Sequence, residues 1–326
     1  MEDHTLTLPE RPVLAPSGTD ALEAARNYAR QAHAEATRRA YRSDWQDFST
    51  WCRIAGFVAL PAMPATVAAY LAALAVTHRP STLQRRLAAI GQAHRLAGHE
   101  WIPSHPLIRT TLRGILRNHG QPKRRAAALT TAEIRRLVAV CSTDLAGRRD
   151  RALFLVGFAG ALRRSELVGI DREHITFTSD GMRLLIPRGK TDPEGRGAEI
   201  GIPRGRRKET CPVATLSEWL QASETEFGPI FRKVDKWGVV DTARLHPDAV
   251  RQILRRRAAE AGVTVSLSER LSPHGLRAGF VTEAYKAGAR DEEIMAHTRH
   301  ADLKTMRAYV RRAKLMTESP AKLLGL

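Results

Sequence analysis

Cysteine is scarce in this chain of 326 residues: Cys52, Cys141 and Cys211 are odd in number, far apart and each beside apolar residues. A disulfide framework is excluded, and buried, reduced thiols of a cytoplasmic protein are expected. Long apolar runs are also missing. None approaches the roughly 18 residues of a membrane-spanning helix, and the opening Met-Glu-Asp-His lacks the basic-then-apolar order of a signal peptide. Acidic residues are in deficit, with 34 Asp and Glu against 52 Lys and Arg, for a net charge of +18. That excess is the electrostatic footprint of a nucleic-acid partner, although ribosomal and membrane-surface proteins share it. No glycine-rich phosphate loop or serine elbow is present. Gly189-Lys190-Thr191 is not a Walker A loop, because Leu184 stands where a glycine is required.

What is present is an unusual set of cations around one phenol. His274-Gly-Leu-Arg277 is followed by His300 and then, nine residues on, by Tyr309. Upstream, Arg163 sits in Leu-Arg-Arg-Ser-Glu-Leu, after the apolar run Ala152-Leu-Phe-Leu-Val-Gly-Phe, which reads as a buried helix. Two arginines, two histidines and a tyrosine suit one reaction well, in which a phenol attacks a phosphodiester whose non-bridging oxygens are held by guanidinium groups.

The order Arg163, His274-x-x-Arg277, His300, Tyr309, with a lysine in a hairpin between the first two, resembles the tyrosine recombinase (phage integrase) family, most closely its Cre and Xer branches. The resemblance runs from about residue 30 to the end of the chain. It implies two domains: a helical, SAM-like core-binding domain that clamps one face of the duplex, and an α+β catalytic domain. The expected fold is therefore mainly α with a small antiparallel β-sheet.

Pattern along the chain fits that division. The length suggests two domains, and 43% hydrophobic residues are enough for two cores. Residues 1–24 read as a loose tail and residues 25–118 as the helical domain. Within it, Tyr41, Trp45, Phe48 and Cys52 mark one helix. A second carries Val67, Tyr70, Leu71 and Leu74 behind Pro64. A third, with Ser81 as cap, has Leu83, Leu87, Ile90 and His94 on one side and Gln84, Arg85 and Arg86 on the other. Leu107, Leu112 and Ile115 mark a fourth. Residues 119–129, with Gly, Pro and a charge run, read as a basic linker strapped across DNA. The catalytic domain, 130–326, opens on the capping box Thr130-Thr-Ala-Glu133. Ile175-Thr-Phe, Met182 to Ile186 and Ile200-Gly-Ile read as three strands.

The resemblance assigns roles. Tyr309 is the nucleophile, Arg163 and Arg277 the phosphate clamps, and His300 a further donor to the same oxygens. Lys190, in the hairpin loop, is the general acid for the 5′-oxygen. His274 accepts or orients the proton near Tyr309, and Glu166 supports His274 or an arginine. Arg85, Arg86, Lys123, Arg124 and Arg125 are expected phosphate contacts. The partner is a double-stranded DNA site, bound by a homotetramer on paired sites, with no membrane. The phosphotyrosine bond conserves its energy and the cations stand in for metal, so neither ATP nor metal is implied. His297 and His300 have zinc-ligand spacing, but no carboxylate or cysteine completes the set. Arg164 is a neighbour that the motif frame passes over in favour of Arg163. Arg299 departs from the family, which usually has glycine there. A C-terminal cluster, Leu323, Leu324 and Leu326, either folds back on its own domain or docks into a neighbouring protomer. Two other functions stay open: a type IB topoisomerase, and a DNA-binding regulator with an inactive site.

Overall fold

The computed structural model describes residues 17–31, 35–122, 124–187, 189, 192, 195–314 and 319–324. Two compact units divide the chain, Met1–Pro122 and Lys123–Leu326. The fold is mainly helical, with small antiparallel sheets. Among the described residues no helix is long and apolar enough to cross a membrane.

The first unit carries α1 (Gly18–Gln31), α2 (Glu35–Ala55), α3 (Pro64–Leu74), α4 (Pro80–Leu96) and α5 (Pro106–His119). The segment read as a tail to residue 24 is helical from Gly18, because the Ser17 hydroxyl accepts from the Asp20 amide and caps the first turn. Phe48, Cys52, Val67, Tyr70, Leu71, Leu83, Ile90, Ile108 and Ile115 form its core. In the first turn of α5 the core residue is Ile108 rather than Leu107, which is exposed. Ser81 does not cap α4; Arg79 stands at that position and Pro80 opens the helix, its fixed φ already helical.

One expectation fails here for an electrostatic reason. Arg86 is buried rather than solvent-facing, and pairs with Asp47 and the Tyr70 hydroxyl. Arg85 donates to both oxygens of Asp44, at 2.8 and 2.9 Å. Both guanidinium groups are committed to carboxylates of α2, so they hold the helical unit together and Arg86 drops out as a phosphate contact.

The second unit comprises β1 (Arg125–Ala126), α6 (Thr131–Ala139), α7 (Leu145–Ala159), α8 (Arg164–Gly169), β2 (Ile175–Phe177), β3 (Gly181–Ile186), β4 (Ala198–Pro203), α9 (Pro212–Ala222), β5 (Arg232–Val234), β6 (Val240–Arg244), α10 (Pro247–Glu260), β7 (Glu269–Arg270), α11 (His274–Lys286), α12 (Asp291–Thr298) and α13 (Leu303–Lys314). α7, buried nearly all round, packs against α6, α9 and α11. β2, β3 and β4 form an antiparallel sheet with Leu184 opposite both Ile175 and Ile200. Alternation sends Met182, Leu184, Ile186, Ile200 and Ile202 into the core. The capping box of α6 closes through Thr130 and Glu133 as its spacing requires. Cys52, Cys141 and Cys211 are free and buried.

Residues 124–129, part of the segment read as linker, are packed into this unit. β1 pairs in parallel with β7, and Ala126, Ala127 and Leu129 are buried. Gly275 and Gly279 of α11 make this possible: a Cβ at either would collide with the carbonyl of Ala127 or Leu129. Leu129 N–H donates to Gly275 O at 3.1 Å. The first turns of α11 are thereby clamped from outside, and His274 and Arg277 lie on those turns.

Candidate active site

Arg163 is the N-cap of α8, and Glu166 is the third residue of that helix. The spacing lets the Glu166 carboxylate reach back: Oε2 accepts from Arg163 N–H at 2.9 Å and Oε1 from Arg163 Nη1 at 2.6 Å. Arg164 turns the other way and pairs with Asp248. Burial alone pushes the Glu166 carboxyl up. The Arg163 amide and guanidinium, with Arg299, more than offset this and hold it below the ordinary carboxylate range.

Arg277 is the least exposed charge of the set, at 1%. Its Nη1 donates to Ala161 O at 2.7 Å, while Nη2 is buried with no hydrogen-bond partner among the described residues. Ala161 presents that carbonyl from a left-handed backbone, φ 46°, a conformation that costs a non-glycine residue about 1–2 kcal/mol. Burial, reinforced by Arg163 and Arg299, draws the Arg277 guanidinium down to about 10. It is still charged at neutral pH, buried, and bonded to a carbonyl rather than a carboxylate.

α12 ends at Thr298, Arg299 turns the chain through a left-handed residue, and Asp302 caps α13 through the Thr305 amide. This tight turn brings His300 and Tyr309 to a ring-centroid separation of 6.1 Å. Tyr309 is anchored beside Met306 and Val310, which pack with Val281 and Ile294. Its hydroxyl lies 2.6 Å from His274 Nε2. Burial raises the Tyr309 hydroxyl above an ordinary phenol, while Arg277, Arg163 and Arg125 pull it down. Arg125 reaches this point from β1 and lines a cavity of about 420 Å³ with His274, Lys304, Thr305 and Tyr309.

The state of His300 follows from its neighbour. Thr298 has one hydroxyl hydrogen, and it is directed at Ile294 O, 2.6 Å away. His300 Nδ1, 2.6 Å from the Thr298 hydroxyl oxygen, is therefore the donor to it. In the neutral ring Nε2 is left as an acceptor. Burial, followed by Arg277, Arg163, His274 and Arg299, lowers the His300 pKa to about 4. The ring is neutral near pH 7, and Nε2 donates only after the ring takes up a proton from solvent, which a negative charge placed beside it favours.

Arg163, His274, Arg277, His300 and Tyr309 thus surround one place, with Glu166 behind Arg163. A cavity of about 300 Å³ beside them is lined by Arg163, Gly189, Asp192, Arg196, Arg299 and His300. Lys190 and Lys123 lie outside the described residues. Arg124 caps the β1–β7 pair by donating to Glu269 O. His297 is a packing residue, stacked on Phe280 at 4.6 Å with Nε2 on Ala159 O. No group of His, Cys, Asp or Glu among the described residues is placed to hold a metal ion. Thr298 and the pairing of Arg299 went unread in the sequence; Thr-x-His at a helix end was their only signal.

The phage integrase family matches residues 127–316. The integrase/recombinase xerD homolog of Selenomonas ruminantium is 33% identical over 290 residues, covering 88% of this chain and 84% of that protein. The tyrosine recombinase XerC of Escherichia coli O6:K15:H31 is 26% identical over 233 residues, covering 69% of this chain and 71% of that protein. In fold, the chain is similar to the Tn1549 transposon integrase in complex with transposon right end DNA, with TM-score 0.62, 14% identity, and coverage of 91% of this chain and 98% of that one. A lambda integrase dimer bound to a COC′ core site gives TM-score 0.60, 15% identity, and coverage of 88% and 75%. The family match over more than half of the chain, with a relative at this identity, places the protein among the phage integrases: it is a tyrosine recombinase, of the family that cleaves and rejoins DNA.

Proposed function

We propose that the protein is a site-specific recombinase that cuts duplex DNA through a 3′-phosphotyrosine at Tyr309, in a tetrameric synapse that passes through a Holliday junction. The buried Nη2 of Arg277, unpartnered among the described residues, carries this reading. A buried guanidinium without a carboxylate partner is costly unless an anion completes it, and a phosphodiester oxygen matches the charge and the donor geometry. Double-stranded DNA is the partner, with Arg85, Lys123, Arg124 and Arg125 among the phosphate contacts of a chain bearing a net +18.

The reaction assigns each group a step. Tyr309 Oη attacks phosphorus and gives its proton to His274 Nε2. At neutral pH only about one free tyrosine in a thousand is ionised, and burial makes Tyr309 harder still to ionise, so the base at 2.6 Å is needed. Arg163 and Arg277 hold the non-bridging oxygens as charge grows on them. His300 joins as an imidazolium, once the phosphate's charge has supplied the reason to bind a proton. The bond from phosphorus to the 5′-oxygen breaks, and Lys190 protonates that oxygen. Rejoining reverses these steps with the partner strand's 5′-hydroxyl.

The role of Lys190 has its own test. A 5′-bridging sulfur leaves without a proton, so Lys190→Ala is expected to be severely slow on normal DNA and close to wild type on the thio substrate. A defect of equal size on both removes Lys190 as the general acid.

Assembly is tested on plasmids. Leu323 and Leu324 are 88% and 69% exposed in the short 3₁₀ turn Pro320–Leu324, which supports docking in a neighbouring protomer over folding back. Leu326 lies outside the described residues. With two cognate sites, recombinant products are expected. Deleting residues 318–326 is expected to leave single-site binding nearly intact and to block synapsis. Relaxation of plasmids irrespective of site would point to a topoisomerase, and binding without cutting to a regulator.

A further inference from the structure

We propose that Arg299 is a positioning residue: it divides the charge of Glu166 so that Arg163 keeps its guanidinium available to phosphate. This rests on the recombinase reading above. Arg299 occupies the left-handed backbone region, φ 57° and ψ 43°, where glycine is at ease and L side chains are not. An arginine at this turn gives up conformational ease, so the side chain must supply what glycine cannot.

Its contacts show what that is. The Arg299 side chain is 12% exposed; Nη2 donates to Glu166 Oε2 at 2.9 Å and Nη1 to His297 O at 3.0 Å. Glu166, whose side chain is 2% exposed, is therefore held between two guanidinium groups, Oε1 on Arg163 Nη1 and Oε2 on Arg299 Nη2, with Oε2 also accepting from the Arg163 backbone N–H. Without Arg299, Oε2 would keep the Arg163 backbone amide as its one partner and could take a second guanidinium N–H of Arg163, the bidentate, fork-to-fork pairing. That geometry would turn the Arg163 fork toward Glu166 and away from the cavity. With Arg299 on the second oxygen, the side-chain bond between Glu166 and Arg163 runs through a single nitrogen. The rest of the Arg163 guanidinium then stays at the wall of the cavity it shares with Arg299 and His300. Arg299 acts through Glu166 and touches no reacting atom.

The first test needs no DNA. A crystal structure of Arg299→Gly is expected to show Glu166 gripping Arg163 with both oxygens. An unchanged monodentate pair overturns the proposal. The second test measures covalent complex formation on suicide duplexes made from sequences that the wild-type protein captures. Arg299→Gly is expected to slow this about tenfold, Arg299→Lys to recover part of the rate, and Arg299→Gly to add no further loss in a Glu166→Gln background. A wild-type rate in Arg299→Gly, or an equal loss with and without Glu166, overturns the proposal. Absence of covalent capture by the wild-type protein would instead strike the recombinase reading and leave the crystallographic result to decide the positioning role.

Discussion

Tyr309→Phe is expected to bind DNA about as tightly as wild type and to form no covalent complex with a nicked or suicide duplex. The ring makes the packing contacts: Tyr309 is seated against the cluster of Val281, Ile294, Met306 and Val310, and phenylalanine keeps that surface. The hydroxyl is bonded to His274 Nε2, a side chain exposed enough for water to replace the lost partner. One hydroxyl counts for little against many phosphate contacts, which dominate affinity for DNA. Chemistry is another matter. The second unit has one other tyrosine, Tyr285, and it packs in the Val281–Ile294 cluster. Trapping of the Phe variant by a suicide substrate would remove Tyr309 as nucleophile.

The second large effect is expected at Arg277. Arg277→Lys keeps the charge but loses the fork, and a lysine cannot hold Ala161 O and a phosphate oxygen in fixed directions at once. Removing one donor aimed at developing oxyanion charge typically costs about 10²–10³ in rate, so strand cleavage is expected to fall by that order. Because Arg277 is buried, thermal unfolding must be measured alongside. A variant that is folded at the assay temperature and still cleaves at near the wild-type rate would show that Nη2 is not a phosphate donor.

Much of the fold was legible because it is governed by local pattern. The capping box at Thr130, the three core-facing strands and the buried run of α7 follow from residues a few positions apart. So does the tie between Arg163 and Glu166, which is a matter of one helical turn. What could not be read depends on partners far along the chain. Arg86 carries the sequence features of a surface arginine, and only Asp47 and Tyr70, brought by other helices, bury it. Residues 124–129 have linker composition, yet Gly275 and Gly279 let them lie directly on α11. That packing also carries Arg125 to the side of Tyr309, from a segment expected only to strap DNA. His300 illustrates the finer limit: its position was readable, but its tautomer depends on a threonine hydroxyl already committed to a helix carbonyl.

The central claim is a single bond, from Tyr309 Oη to a DNA 3′-phosphate. It is measured most directly by trapping the protein on DNA, digesting both polymers and identifying the modified peptide by mass spectrometry, with the released DNA end analysed in parallel. A nucleotide joined through its 3′-phosphate to Tyr309, opposite a free 5′-hydroxyl end, is the expected result. An adduct on any other residue, or linkage through a 5′-phosphate, would contradict it.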